Sequence, residues 1–270
     1  MLKLHEEAQQ PPHYHRVPFE LGAPNAARVW SALIGPKDTF QHDRDTAEML
    51  RATYPDLRQL ALTHRFLHDS LVYNTADAVT SFVDLGAGLP PNPSRSQRLV
   101  DRTTEESAGR YAAGGSIRVV TVDHDEVAAL YNAALRSGTV ALHADVRDTH
   151  TVLTTCDEHL GDEPRAYVMT ALAELLTADD LGALVSDLVQ GSPPGSLLAT
   201  SHTDDTPETA ALAAAWKDAV PGSEMFPRTS DRLAALLDAS GVKESRTYKP
   251  QPMLPGKLRR GPVYATIATL

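Results

Sequence analysis

A glycine turn directly after a short apolar run is the feature of this sequence that most clearly indicates ligand chemistry. The run at 81–85 contains Asp84, and Gly86 and Gly88 follow at once. Such a run is typical of a buried parallel strand. Glycines after a strand let the backbone turn tightly and approach a ligand closely. Because open α/β sheets bind ligands at the carboxyl ends of their strands, the segment predicts a nucleotide-type ligand site.

Two further acidic residues follow apolar runs later in the chain. Asp123 ends the run at 117–122, and Asp145 follows the run at 139–144. A carboxylate at the end of the second strand can accept two hydrogen bonds from the hydroxyls of a ribose. A single acidic residue at such a position is more often a helix cap. As an ordered set behind three predicted strands, however, these residues favour ligand contacts.

The spacing of the acidic residues disfavours a dinucleotide. The third glycine of the dinucleotide fingerprint is missing, and Asp123 lies 123 − 88 = 35 residues after Gly88. A dinucleotide-binding unit has roughly 20 residues in this interval, and a polar insertion at 91–116 accounts for the excess. S-adenosylmethionine has an amino-acid end, a sulfonium, a ribose and an adenine but no phosphate, so the pattern suits this molecule better than NAD.

The elements that would position these residues alternate between strands and helices. Strands are predicted at 81–85, 117–122, 139–144, 165–170, 196–202, 242–248 and 263–270. Helices are predicted at 25–34, 43–50, 57–73, 95–111, 125–137, 148–159, 178–190, 207–216 and 229–240. The order predicts an α/β fold with a doubly wound, mainly parallel seven-stranded sheet. The last two strands are joined by a loop, so we expect them to be antiparallel.

The helices of the N-terminal region precede the first strand and are expected to cover the ligand edge of the sheet. Residues 1–75 are predicted to form an arm and a helical lid, and 76–270 a cofactor-binding domain, within one compact unit. The polar segment 37–44 is expected to be a loop that closes over a ligand. His5, His13 and His15 lie on no predicted element that would fix the geometry of a metal site, so no metal is expected.

Composition limits the class of partner. The chain has 270 residues, a formal net charge of −10 and a single cysteine, Cys156. The negative charge disfavours nucleic acid, which usually requires a basic face. One cysteine allows neither an intramolecular disulfide nor a cysteine zinc site. No apolar run approaches the roughly 18 residues that span a bilayer. We therefore expect a cytoplasmic protein with a small-molecule substrate and no membrane partner. The composition leaves open whether the protein forms a homodimer.

Several motifs resemble one known family, the actinobacterial S-adenosylmethionine-dependent methyltransferases that were first catalogued as a domain of unknown function. The segment at 27–44, ARVWSALIGPKDTFQHDR, is similar to the family signature ARVYDYLLGGKDNFAADR. THRFL at 63–67 is similar to NRAFL, and FVDLGAGLPP at 82–91 to FLDIGTGLPT. VTVDHD at 120–125 is similar to VYVDNDP, and ADVRD at 144–148 to ADLRDP. The resemblance implies a Rossmann-like methyltransferase fold with an N-terminal lid.

The resemblance also implies roles for individual residues. Asp84, Gly86 and Gly88 would surround the amino-acid end and the sulfonium of S-adenosylmethionine. Asp123 would bind the ribose. The other implied cofactor contacts are His124 beside it, Asp145 and Val146 at the adenine, and Arg28 and Lys37 in the lid.

Methyl transfer is an in-line displacement, so the enzyme mainly aligns the reactants and supplies a base where the nucleophile loses a proton. His202, at the end of a predicted strand, is the first candidate for this base, followed by His124 and Glu174. Each of the three could instead be a cap, a turn residue or part of a solvated face. The sequence thus predicts an enzyme that methylates an oxygen or nitrogen of a small molecule, in specialised metabolism.

Three alternatives remain at this stage. The segment at 169–175, MTALAEL, departs from the VLHFV-like segment of the family and lacks its aromatic and histidine. This departure motivates a protein that binds the cofactor without methyl transfer, as a cyclase, a lyase or a regulator. An NAD-linked oxidoreductase is disfavoured by the missing glycine. A non-catalytic interaction protein would follow if Asp84 and Asp123 were buried caps with no cleft between them.

Overall fold

The structure, a computed structural model, describes residues 22–35, 39–90, 117–136, 138–249 and 262–270. The strands are β1 Ser81–Leu85, β2 Arg118–Asp123, β3 Thr139–His143, β4 Arg165–Thr170, β5 Leu197–Thr203, β6 Glu244–Tyr248 and β7 Val263–Thr269. The helices are α1 Ala26–Ile34, α2 Gln41–Thr53, α3 Leu57–Thr75, α4 Glu126–Leu135, α5 Thr149–Leu160, α6 Ala178–Gly191, α7 Pro207–Ala219 and α8 Ser230–Ala239, with a 3₁₀ helix at Ala173–Leu175. The predicted helix at 95–111 lies outside the described residues.

The described strands form one sheet in the order β3-β2-β1-β4-β5-β7-β6. Strands β1 to β5 pair in parallel, and β7 is antiparallel to both β5 and β6. This confirms the predicted doubly wound sheet and its antiparallel closing pair. Strand β1 lies between β2 and β4, with Leu85 level with both Val122 and Met169. The chain therefore reverses its direction of travel across the sheet between β1 and β4, where such folds bind ligands.

The prediction of a loop at 37–44 is wrong from Gln41 onward. Helix α2 begins there, and the Asp43 side chain accepts a hydrogen bond from the Phe40 backbone N–H at 3.0 Å. Asp43 is fully buried. A polar, charged segment looked like a loop in the sequence because the buried partner of Asp43, Arg28, lies in a different helix. Residues 37 and 38 lie outside the described residues.

Helices cover both faces of the sheet. On one face, α5, α6 and α8 pack against Tyr167 and Leu198. On the other face, α1, α2, α3 and α7 share a core with β5 and β7, centred on Leu67 and Trp216. The first three helices thus bury their apolar sides on the sheet, and the boundary at residue 75 stays a prediction. No helix among the described residues is both long and apolar enough to cross a lipid bilayer.

A buried arginine links helices α1 and α2 to the start of helix α4. Arg28 of α1 is 3% exposed, and its guanidinium lies 3.2 Å from Asp43 and 2.6 Å from Asp125. It also donates to the Ala23 carbonyl at 2.7 Å. Asp125 in turn caps α4 by accepting from the Ala128 N–H at 2.9 Å. One cation therefore joins α1, α2 and α4.

Replacing Arg28 with methionine should destabilise the fold strongly. The variant keeps an unbranched side chain but leaves two buried carboxylates without their cation, so we expect unfolding by urea to require about 3–5 kcal/mol less free energy. Arg51→Met is the matched control, because Arg51 pairs with Glu48 on the surface and such pairs contribute about 1 kcal/mol or less. Equal losses in the two variants would contradict the role of Arg28.

Candidate functional site

A cavity of about 270 Å³ opens at the carboxyl ends of β1, β2 and β4. Its lining comes from α1, α3, the turn after β1, the end of β2 and the segment after β4. The lining residues are Ala26, Ala27, Trp30, Ser31, Ile34, Gly35, Ala61, His64, Arg65, His68, Asp84, Gly86, Ala87, Gly88, Leu89, Pro90, Asp123, His124, Thr170, Ala171, Leu172 and Leu175. This is the position that the strand order predicts for a ligand.

The backbone N–H groups of the glycine turn form hydrogen bonds within the protein. Gly86 and Ala87 donate their N–H groups to the Val122 carbonyl at 2.8 and 3.1 Å. Gly88 donates to Asp123 Oδ2 at 2.7 Å. A pyrophosphate site would need free amides directed at the ligand. The turn therefore suits a ligand without phosphate, in agreement with the missing third glycine.

Both glycines are required by the backbone conformation, but their surroundings differ. Gly86 and Gly88 have φ angles of 66° and 61°, which residues with a Cβ rarely adopt. A Cβ at Gly86 would also lie 3.1 Å from the Leu172 side chain. A Cβ at Gly88 would meet no atom of the described residues within 4 Å. The turn thus packs tightly against the segment after β4 at its first glycine, whereas no described residue crowds its second.

Asp123 is the fixed acceptor of the site. It is 4% exposed, and its Oδ1 accepts the Asp125 N–H at 2.8 Å while Oδ2 accepts that of Gly88. Burial raises the pKa of Asp123 above its ordinary value. Each carboxylate oxygen has a further lone pair, so the side chain can accept additional hydrogen bonds from a ligand while its orientation stays fixed.

Opposite charges meet at Asp84. His68 Nε2 and Arg136 Nη1 lie 3.3 and 3.4 Å from its Oδ2. Burial opposes ionisation of Asp84, but His68 and Arg136 outweigh it and lower its pKa to about 2. Burial also opposes the charged form of His68, but Asp84 and Asp69 raise the pKa of this imidazole. With Arg65 also lining the cavity, the carboxylate and the neighbouring cations match the ammonium and carboxylate groups of an amino acid.

The wall formed by α1 and the segment after β4 is mostly apolar. Ala26, Ala27, Ile34, Leu172 and Leu175 belong to it. Trp30 stands among them, and its indole Nε1 is buried without a hydrogen-bond partner among the described residues. The hydroxyl of Thr170 is likewise buried and without a partner there. A ligand against this wall would meet mainly apolar surface.

A second buried polar cluster lies behind this wall. His64 Nδ1 lies 2.8 Å from Ser201 Oγ, and His64 Nε2 lies 3.1 Å from Glu174 Oε1 and from Thr203 Oγ1. Although burial disfavours charge, His64 and Thr203 lower the pKa of Glu174. The Trp30 ring meets His64 edge to face at 5.7 Å. The cluster thus connects α3, β5 and the 3₁₀ helix beneath the cavity.

The structure brings together five of the predicted site residues. Asp84, Gly86, Gly88, Asp123 and His124 all line the cavity. This arrangement places a cleft between Asp84 and Asp123, so the condition for a non-catalytic interaction protein is not met. Their functional roles stay predictions.

Five others lie outside the described lining. Arg28 is enclosed by its two carboxylates, and Asp145 is bound to Arg147 at 2.5 Å on the surface. Val146 belongs to the hydrophobic core on the face of the sheet that α5, α6 and α8 cover. Glu174 and His202 are buried at 1% and 2% exposure.

His202, the first predicted base, has a distinct environment. Its ring stacks on Tyr264 at 5.5 Å. Neither ring nitrogen has a partner among the described residues. Burial lowers its pKa to about 4. The imidazole is therefore neutral at physiological pH. Lys37 lies outside the described residues.

Sequence reasoning missed the contribution of α3. His64 and His68 are four residues apart and both line the cavity, a spacing that places two side chains on one face of a helix. Because this helix directly precedes β1, the pair of histidines was a readable signal. No group of three or more His, Cys, Asp or Glu side chains in the described ranges is arranged to hold a metal ion.

Comparison with known proteins agrees with this geometry. A sequence model of the S-adenosyl methyltransferase family matches residues 13–246. No curated protein matches the chain. A solved structure of a candidate methyltransferase from Thermobifida fusca is similar, at 25% identity and a TM-score of 0.75, over 93% of this chain and 96% of that chain.

Two further solved structures share the fold. A DUF574 family protein from Streptomyces avermitilis is 20% identical, with a TM-score of 0.77 over 93% of this chain and 99% of that chain. The S-adenosylmethionine-dependent methyltransferase SibL in its apo form is 16% identical, with a TM-score of 0.50 over 86% of this chain and 70% of that chain.

The pair of His68 and Asp84 should make stability depend on pH. The raised pKa of His68 means that its stabilisation is complete below the ordinary histidine value of 6.5 and is lost as pH rises through the raised value. The lowered pKa of Asp84 means that its stabilisation is present above 3.8 and is lost as pH falls through about 2.

We therefore expect the unfolding free energy to fall as pH rises above about 6.5, and His68→Asn to remove much of that fall. Urea unfolding at several pH values measures it. His150→Asn, on the exposed surface of α5, is the control. Parallel pH curves for the wild type and His68→Asn would contradict the pairing.

Proposed function

This chain belongs to the S-adenosyl methyltransferase family, and we propose that it transfers the methyl group of S-adenosylmethionine to an oxygen or nitrogen of a small molecule in specialised metabolism. The observation that carries the proposal is the cavity at the strand ends, whose two sides differ in chemistry. Asp84, Asp123 and the glycine turn form a polar side, and α1 with the segment after β4 forms an apolar side.

The polar side fits the cofactor. Asp84 would accept a hydrogen bond from the ammonium of the cofactor's amino-acid end, and Arg65 and His68 would lie beside the cofactor's carboxylate. Asp123 would accept hydrogen bonds from the ribose hydroxyls. The N–H groups of Gly86, Ala87 and Gly88 bond within the protein instead of pointing toward a phosphate. When bound, the cofactor supplies an electrophilic methyl group on a sulfonium. The protein's part is to hold the two reactants in line and to exclude water.

The apolar side fits a small, largely apolar acceptor. Its surface comes from alanine, leucine and isoleucine side chains, and Trp30 Nε1 offers one donor without a partner among the described residues. A carbonyl or hydroxyl oxygen of the acceptor would satisfy this donor. The cavity volume of about 270 Å³ and the formal charge of −10 support a small molecule over a nucleic acid.

The predicted bases differ in their access to this space. His124 lines the cavity beside Asp123 and has a side chain that is 59% exposed. His202 and Glu174 lie outside the described lining, so either would have to move before it could take a proton from an acceptor. His124 is therefore the predicted base that we retain for the chemical step, and the other two are proposed to shape the site.

A second candidate function is binding of the cofactor without methyl transfer, as in a cyclase or a lyase. The observation that favours it is the segment after β4, which presents Ala171, Leu172 and Leu175 to the cavity. These side chains have no group that could take a proton from an acceptor. Analysis of the products separates the two candidates.

Removing the Asp123 carboxylate should abolish tight cofactor binding. Asp123→Ala deletes the two charge-assisted hydrogen bonds proposed for the ribose, so we expect S-adenosylhomocysteine to bind about 100-fold more weakly in isothermal titration. Asp162→Ala, on an exposed turn at the opposite end of the sheet, should bind like the wild type. Unchanged affinity in Asp123→Ala would rule out the ribose role, and binding of NAD by the wild type would contradict the cofactor.

Methyl transfer itself can be detected without knowing the acceptor. Incubation with S-adenosylmethionine and a panel of phenols, carboxylic acids and amines should form S-adenosylhomocysteine together with a product heavier by one methylene. Trp30→Phe keeps the ring but removes the donor, so it should raise KM for the acceptor and leave cofactor affinity unchanged. Conversion of the cofactor or of a panel member without a methylated product would instead support the second candidate.

A further inference from the structure

A strained residue lies at the wall of the cavity. Ala171 has a φ angle of 53° and is the only residue other than glycine with a positive φ in the described part of the chain. A residue with a Cβ adopts this left-handed conformation only when its surroundings stabilise it. Ala171 directly follows β4 and lines the cavity between Thr170 and Leu172. The strain is therefore located where the ligand would bind.

The side chain of Ser201 bonds to the backbone of this residue. Ser201 Oγ, on the neighbouring strand β5, accepts the Ala171 N–H at 3.3 Å. The same oxygen lies 2.8 Å from His64 Nδ1, and Ser201 and His64 are 0% and 2% exposed. A hydroxyl has one proton and two lone pairs. It can therefore bond to His64 in either protonation state of that nitrogen and still accept from Ala171.

The other side of His64 is fixed by the same segment of chain. Glu174 Oε1 lies 3.1 Å from His64 Nε2 and accepts from Thr203 Oγ1 at 2.9 Å. Arg228 holds the backbone around Glu174, because its guanidinium donates to the carbonyls of Ala173 and Leu176 at 2.7 and 2.6 Å. The segment 171–176 is thus attached at both ends to one buried cluster.

We propose that Ser201, oriented by His64 and Glu174, is a positioning residue that holds Ala171 in its left-handed conformation and so sets both the apolar wall and the position of the glycine turn at which the cofactor binds. Relaxation of Ala171 would displace Leu172, whose side chain packs against Gly86 of that turn. The apolar wall and the glycine turn are therefore adjusted together through one alanine. The effect on the cofactor rests on the function proposed above.

The test uses two substitutions in the full chain. Ser201→Ala removes the acceptor of the Ala171 N–H, so we expect S-adenosylhomocysteine to bind about fivefold more weakly in isothermal titration. Adding Ala171→Gly should restore the affinity, because glycine adopts positive φ without a Cβ penalty. If Ser201→Ala acted instead by releasing His64, glycine at 171 would restore nothing.

Ser196→Ala is the matched control, since Ser196 is equally buried and directly precedes β5, beyond the end of the strand opposite to Ser201. NMR backbone chemical shifts of residue 171, recorded without ligand, give a second measurement. We expect a positive φ in the wild type and the double variant, and a negative φ in Ser201→Ala.

A positive φ that persists in Ser201→Ala would overturn the inference. So would an affinity no lower than that of Ser196→Ala, or an affinity that Ala171→Gly does not restore. A wild type that binds no S-adenosylhomocysteine would overturn the cofactor assignment instead, while the φ measurement would still decide whether Ser201 positions Ala171.

Discussion

The two hydrogen bonds that the Asp123 carboxylate accepts from backbone amides connect the parts of this site. One amide belongs to Gly88 in the turn after β1, and the other to Asp125 at the start of α4. Asp125 in turn binds Arg28, which binds Asp43. The predicted ribose acceptor therefore lies in a continuous network of hydrogen bonds and ion pairs from the glycine turn to α1 and α2. Since this network is buried, each of its charges depends on the next for compensation.

The sequence was sufficient to predict the sheet and the acidic edge. Apolar runs and helical periodicity identify the elements, and parallel pairing brings the carboxyl ends of strands to one side. Asp84 and Asp123 consequently line one cavity although their separation in sequence is 39 residues, from 84 to 123. By contrast, Asp145 follows the edge strand β3, and its carboxylate is bound to Arg147 on the surface. Position at a strand end was thus insufficient to predict which acidic side chains face the cavity.

The pairings that the sequence could not reveal are those between distant charged residues. Arg28 and Asp125 are 97 residues apart, and no local pattern in either segment indicates that they meet. Without the partner, the segment that contains Asp43 looked like a loop that closes over a ligand. The same holds for His64, which meets Ser201 across 137 residues. Sequence periodicity shows which face of a helix is buried, but it does not show which buried charges compensate each other.

In the segment after β4, where the chain departs from the family pattern, the buried carboxylate of Glu174 has partners. A glutamate in an apolar wall would be costly to bury alone, but Glu174 has His64 and Thr203 as partners, and Arg228 binds the carbonyls on either side of it. The segment also contains Ala171, whose left-handed conformation requires support from its surroundings. Both features depend on partners elsewhere in the fold. The segment that departs from the family pattern is therefore an ordered wall of the cavity.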